Sequence, residues 1–281
     1  MAALPQTPTQ SQTPQPPKTP TPGRRQARRR RRKRQRLILL SAVLALTVLG
    51  LILHLRGGQT AEGGDLPPDD APAILMPLPD GHIYTRIPVI DAGHGGEDGG
   101  AISVTGVREA EINLQVAVKI DLLMHFFGVP SVMLRTEDIS LHDPSAQTIQ
   151  EKKRSDLQNR AATVNGIQNA VLLSIHQNTF TDPQYSGLQA FYTPAEGSKA
   201  LAERIQSTVK TSLDTTNTRL AAKAREDIYV LANVNCPAVL VECGFMSHLE
   251  EEKKLREDGY QTKLAAAITA SFLQWEVGVN P

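Results

Sequence analysis

The chain has 281 residues, two cysteines and a formal net charge of +1. That length allows one or two domains, and two cysteines exclude a disulfide scaffold or a Cys-x-x-Cys metal site. The near-neutral total conceals a split: residues 1–56 hold 12 Lys and Arg with no Asp or Glu, which leaves 18 basic against 29 acidic residues in the remainder, a net of −11.

Residues 1–23 are Pro, Thr and Gln punctuated by small side chains. With so little to bury, they are expected to be disordered, with local polyproline II character. Arg24 to Arg36 is a basic block, and Leu37 to Leu55 is a 19-residue apolar run. About 20 residues cross a bilayer core of roughly 30 Å. Basic residues stay on the cytoplasmic side, so the pattern predicts a single-pass signal-anchor in the cell membrane, with the N-terminus cytoplasmic and everything after Arg56 extracytoplasmic. A cleavable signal peptide would have a shorter apolar core and an Ala-x-Ala-like site, whereas this run is long and Gln59-Thr60-Ala61 is a poor site. A basic block beside a membrane span suits anionic lipid, and no nucleic-acid partner is expected. Residues 56–85 are rich in Gly, Pro and Asp, the composition of a linker. The expected layout is a cytoplasmic arm over 1–36, an anchor over 37–55, a linker over 56–85 and one catalytic domain over 86–281.

From Arg86 onward, apolar runs of strand length alternate with helical periods, the mark of an α/β sheet. Strands are expected at 87–91, 131–135, 171–175, 187–193, 227–231 and 238–242. Helices are expected at 109–127, 156–167, 198–213, 248–256 and 260–275. Within the first helix, Ile112, Val116, Ile120 and Leu123 recur at helical spacing and should face the sheet.

Four residues stand at comparable places in this alternation. His94 lies in a glycine-rich loop, Asp91-Ala-Gly-His-Gly-Gly96, that follows the first strand, and Glu109 opens the first helix. His176 and Glu242 close the apolar strands Val171–Ile175 and Ala238–Val241. If the strands run parallel, all four converge on the sheet edge where ligands bind in open α/β folds. Singly, each has a plainer reading: His176 as a satisfied core histidine, Glu109 as a carboxylate favoured by the helix dipole, Glu242 as a turn cap. Jointly they make two imidazoles and a carboxylate with an open fourth position, the composition of a catalytic zinc site, beside a second carboxylate. His94, Glu109 and His176 are assigned as ligands. Glu242 is assigned as the catalytic general base and acid, because burial at the end of the most apolar strand would raise its pKa toward neutrality.

These residues resemble the zinc-dependent N-acetylmuramoyl-L-alanine amidases of bacterial cell-wall turnover, over roughly residues 87–276. Four segments carry the resemblance in order: Val89–Gly96, Gly106–Leu114 (GVREAEINL), Ser174–Asn178 (SIHQN) and Pro237–Ser247 (PAVLVECGFMS). The second motif points to Glu109, not Glu111, as the ligand. The implied fold is a mixed, roughly six-stranded sheet with helices on both faces, preceded by one transmembrane helix. The implied reaction is hydrolysis of the amide between N-acetylmuramic acid and L-alanine of the peptidoglycan stem peptide, with Zn2+ as cofactor. Ala110 stands where a lysine is common in the family, and the 65 residues between His176 and Glu242 leave no room for the long plugging helix of some relatives. A minimal amidase on one anchor is similar to the spore-cortex amidases of endospore formers. It is expected to be a monomer, with any activating partner unidentified.

Arg160 is a candidate for a substrate carboxylate or a helix-surface ion pair, and Asn178 for a hydrogen bond to the stem peptide. His82, His125, His142 and His248 have no matching partner, and Cys236 and Cys243 are too far apart along an extended strand to bridge. The competing functions are a zinc peptidase that cuts within the stem peptide, using the same four residues, and a wall-binding module that keeps the fold without the reaction.

Overall fold

The protein is seen in a computed structural model that describes residues 84–279. The arm, the anchor and all of the expected linker before Tyr84 lie outside the described residues. No helix among the described residues is long and apolar enough to cross a membrane.

Three strands rich in Val, Ile, Leu and Ala form the centre, β1 (Ile87–Ala92), β3 (Ala170–Asn178) and β6 (Ala238–Phe245), and the short edge strand β2 (Val132–Met133) pairs with β1; all four are mutually parallel. β4 (Gln189–Tyr192) runs antiparallel to β6, and β5 (Ala222–Lys223) pairs parallel with β4. The result is a mixed six-stranded sheet in the order β2-β1-β3-β6-β4-β5.

The central strands read as unbroken apolar runs because both of their faces are covered. One face carries Ile90, Val171, Leu173, Val239 and Val241. Against it pack α1 (Glu109–Phe126), α3 (Ser198–Ser212) and α6 (Asp258–Val279), through Ile112, Val116, Ile120, Leu201, Ile205, Ile268 and Phe272. The other face carries Val89, Leu172, Ala238 and Leu240, covered by α2 (Ile149–Asn165) and the single turn α4 (Tyr229–Ala232). α5 (Leu249–Arg256) lies beside the end of β6.

Three sequence expectations need correction. The run Asp227–Leu231 is not a strand. Its end forms α4, where Val230 and Leu231 are buried in succession, and the fifth strand is Ala222–Lys223. A short apolar run cannot be assigned by periodicity alone. α2 begins at Ile149, not 156, because Thr148 and Glu151 form a reciprocal capping box that stops the first turn from fraying. Finally, β3 and β6 continue past His176 and Glu242, so both residues lie inside their strands, next to a register shift between His176 and Asn178. Such irregularities re-aim side chains beside active sites.

The entry to the domain is tied to its last helix. The Thr85 N–H and hydroxyl and the Arg86 N–H all donate to Oε1 of the buried Glu276, at 3.0–3.2 Å. Glu276→Ala leaves these donors without their acceptor and is expected to cost about 1–3 kcal/mol, read as a lower urea midpoint with an unchanged slope.

Candidate metal centre and active site

Strand alternation decides which side chains meet. On β1, β3 and β6, Asp91, Ser174, His176 and Glu242 share the face that carries Val89, Leu172 and Leu240. His176 and Glu242 are direct cross-strand partners, one strand spacing of about 4.8 Å apart. Glu109 reaches the same point from the first residue of α1.

His94, Glu109 and His176 each offer a ligand atom, and these atoms all lie within 4.8 Å of one another. His94 Nε2 is 3.4 Å from Glu109 Oε2, and His176 Nδ1 is 3.0 Å from Glu109 Oε1. The Glu109 carboxylate is held still by the N–H groups of Ala101 and Gln177 and by the Asn113 amide. Its burial works against ionisation, but hydrogen bonds from His176 and His94 and their positive potential hold its carboxyl well below the usual range. The second nitrogen of His94, Nδ1, lies 3.0 Å from Asp98 Oδ2. Burial opposes charge on His94, yet Asp98 and Glu109 together raise its pKa to about 9. A cation entering the cradle must displace that proton.

The loop that presents His94 is strained and heavily tied. His94 itself has φ 60°, a left-handed conformation that costs a non-glycine residue about 1–3 kcal/mol unless its surroundings fix it. Two arginines, each 2% exposed, fix it. Arg135 donates to the carbonyls of Ala92, Gly93 and Ala110. Arg160 donates to the carbonyls of Ala92 and His94, and pairs with Asp91 at 2.5 Å and Asp156 at 2.7 Å. Ser174 donates to the other oxygen of Asp91. With a second bond to Asp156, from Nη2 to Oδ1 at 3.3 Å, all five N–H groups of Arg160 are engaged, so it holds the loop and has none left for a substrate carboxylate. At two glycines a side chain would strike the cradle itself: a Cβ at Gly93 would stand 2.2 Å from the His176 ring, and one at Gly100 would stand 2.6 Å from Glu109 Oε2.

Glu242 lies half-buried beside the three, its Oε2 shut off from solvent and without a hydrogen-bond partner among the described residues. Burial, and the nearby Glu109 carboxylate, push its pKa up to about 7 against the opposing influence of His176 and His94. A cavity of about 200 Å³ opens on this face between His94, His176, Lys153, Leu157, Val230 and Leu240.

The sequence singled out His94, Glu109, His176 and Glu242, and the structure brings all four together. It leaves Asn178 two residues beyond His176, half-buried, its carbonyl accepting from Met246. Asp91, Asp98, Asn113 and Arg135 were missed. Asp91 and Asp98 lie inside or next to the first motif and could have been found there; Asn113 and Arg135 carry no signal without the fold. Of the unmatched histidines, His142 meets Ser140 and His248 caps α5, while His82 lies outside the described residues. Both cysteines are free.

An α/β domain with a His-Glu-His cradle and a buried carboxyl beside it is built for metal-assisted hydrolysis. Comparison with known proteins makes the class specific. The chain belongs to the N-acetylmuramoyl-L-alanine amidase family, whose model matches residues 89–274, and it is therefore an enzyme that cleaves the amide between N-acetylmuramic acid and L-alanine of peptidoglycan. It is 32% identical over 192 residues to the germination-specific N-acetylmuramoyl-L-alanine amidase of Bacillus subtilis, covering 68% of this chain and 79% of that one. Among solved structures it is similar to the CwlD amidase from Clostridioides difficile in complex with the GerS lipoprotein, at 36% identity and TM-score 0.65, covering 68% of this chain and 98% of that one. An N-acetylmuramoyl-L-alanine amidase from Clostridium difficile 630 matches at 30% identity and TM-score 0.60, over 68% of this chain and 97% of the other.

Gly93→Ala should displace the His176 ring and weaken divalent-metal affinity by about 10- to 100-fold, measured by competition with a chelating dye, while the circular dichroism spectrum stays that of the parent. Arg160→Met strands Asp91 in the interior and should cost about 3–5 kcal/mol in denaturant unfolding.

Proposed function

We propose that the chain cuts its amide with a zinc ion held by His94, Glu109 and His176, and with Glu242 as the general base and acid. The observation that carries this reading is a juxtaposition: three donor atoms within 4.8 Å of one another, and across one strand spacing a carboxyl whose pKa burial pushes up to about 7. The donors fit zinc, because two imidazoles and one carboxylate leave the open position that a catalytic site needs. Gly93 and Gly100 keep free the space that a Cβ would take from the ligand side chains. When bound, zinc supplies a Lewis acid for the scissile carbonyl and acidifies water in the site.

The remaining chemistry belongs to the chain. Asp98, on His94 Nδ1, fixes the tautomer and turns Nε2 toward Glu109. The Glu242 carboxylate takes a proton from the attacking water and passes it to the L-alanine nitrogen as the C–N bond breaks. A group with a pKa near the working pH serves both steps. Asn178, beyond His176 on the same strand, hydrogen-bonds the stem peptide.

The cellular setting belongs to the same proposal. The apolar run at 37–55 and its basic flank support a membrane tether with the catalytic domain outside the membrane. The likeness to a germination-specific amidase supports action on spore cortex. The likeness to an amidase solved with a lipoprotein supports an activating partner at the membrane surface. A peptidase acting inside the stem would use the same four side chains, but the family favours the amide at N-acetylmuramic acid.

Incubated with purified peptidoglycan, the zinc-loaded chain should release intact stem peptides with free L-alanine amino termini, identified by mass spectrometry. New ends within the stem would contradict the reading. Glu242→Gln should lower kcat by about 10²- to 10⁴-fold and keep its zinc. A protonated carboxyl cannot accept the water's proton, so kcat/KM of the parent should fall as pH drops through the Glu242 pKa. A nearby cation favours the carboxylate, which places this limb at or below the value of about 7 set by the chain alone. The limb should vanish from the residual activity of Glu242→Gln.

A further inference from the structure

Phe180 and Tyr185 are 50% and 46% exposed, with ring centroids 4.6 Å apart. Large aromatic rings left in water side by side call for a reason. Both are anchored to the strands that carry the active site. Phe180 follows β3 four residues after His176, and its N–H donates to the Ser247 hydroxyl at 3.0 Å. Tyr185 packs near Phe245, three residues after Glu242, at a centroid distance of 6.3 Å. Arg219 completes the group: its guanidinium lies over the Tyr185 and Phe245 rings at 5.6 and 4.6 Å. It also donates to the side chain of Gln189, the residue in register with Glu242 on the neighbouring strand. Beside the rings runs a polar groove of about 640 Å³, lined by Asp182, Gln184, Asp214, Thr216 and Arg219.

Flat apolar faces bordered by carboxylates, amides, hydroxyls and a guanidinium suit a saccharide. A pyranose ring has faces of C–H groups and an equator of hydroxyls and acetamides. The former covers an aromatic ring, and the latter finds partners in the polar groove. We infer that Phe180, Tyr185 and Arg219 form a saccharide subsite that holds the glycan strand next to the sugar bearing the scissile amide. The inference rests on the amidase reading and deepens it. The chain then selects polymeric glycan over a single sugar with its stem.

The test uses the full chain with Phe180→Leu and Tyr185→Leu, which keep apolar bulk but remove the flat rings. Peptide-free strands of alternating N-acetylglucosamine and N-acetylmuramic acid serve as the binding probe in titration calorimetry. Each substitution should weaken their binding roughly three- to tenfold, and Tyr185→Trp should restore it. In parallel, KM for multi-sugar muropeptides should rise by a similar factor in the Leu variants, while kcat/KM for a single N-acetylmuramoyl peptide stays at the parent value. Unchanged strand binding overturns the subsite, and so does equal loss on both substrates, which would make the pair a support of the catalytic centre. Strand binding that survives Leu but is lost with Phe180→Ser assigns the patch to apolar docking and overturns it as well. Failure of the amidase reading has a different signature: the parent cuts neither substrate, and the binding arm still decides the subsite.

Discussion

The arrangement depends on a charge held out of water. Arg160 is a full cation at 2% exposure, and it is tolerable there only because Asp91 and Asp156 face it. Those pairs fix the guanidinium, and the guanidinium fixes the carbonyls of Ala92 and His94, just where β1 gives way to the loop. Arg135 does the same for Gly93 from the other side. The left-handed backbone at His94 is therefore imposed by the interior, and the imidazole is delivered to the rim, edge-on to the His176 ring.

The same burial gives two carboxyls opposite characters. Glu109 sits among backbone donors and two imidazoles, and stays ionised despite its desolvation. Glu242 lies one strand away with a buried oxygen that finds no hydrogen-bond partner among the described residues, and is pushed toward neutrality. Environment alone leaves one ionised and pushes the other toward its protonated form, the kind of separation by which one fold can run acid and base chemistry. The parallel run of β1, β3 and β6 brings them together, because a strand period of two puts His176 and Glu242 on one face at one level.

Much of this was legible in the sequence where the signal is local. Unbroken apolar runs revealed the doubly covered strands, and the glycines around His94 marked the loop. Of the two glutamates in its motif, Glu109 is the one that lies with His94 and His176. Legibility failed where a residue's role depends on what packs against it. Arg160 reads as an exposed helical residue until α2 is laid against β1, and only then does its side chain turn inward to Asp91. Arg135 follows a two-residue strand whose register nothing in the sequence fixes. The segment 227–231 has strand composition but becomes a turn of helix, since tertiary burial of Val230 and Leu231 outweighs a weak local preference.

The most direct measurement is the zinc content of the purified full chain and its single alanine variants, by elemental mass spectrometry after dialysis. The account predicts one zinc per chain in the parent and in Glu242→Ala, and loss of zinc from His94→Ala, Glu109→Ala and His176→Ala. Zinc retained by Glu109→Ala, or lost from Glu242→Ala with the fold intact, would contradict it.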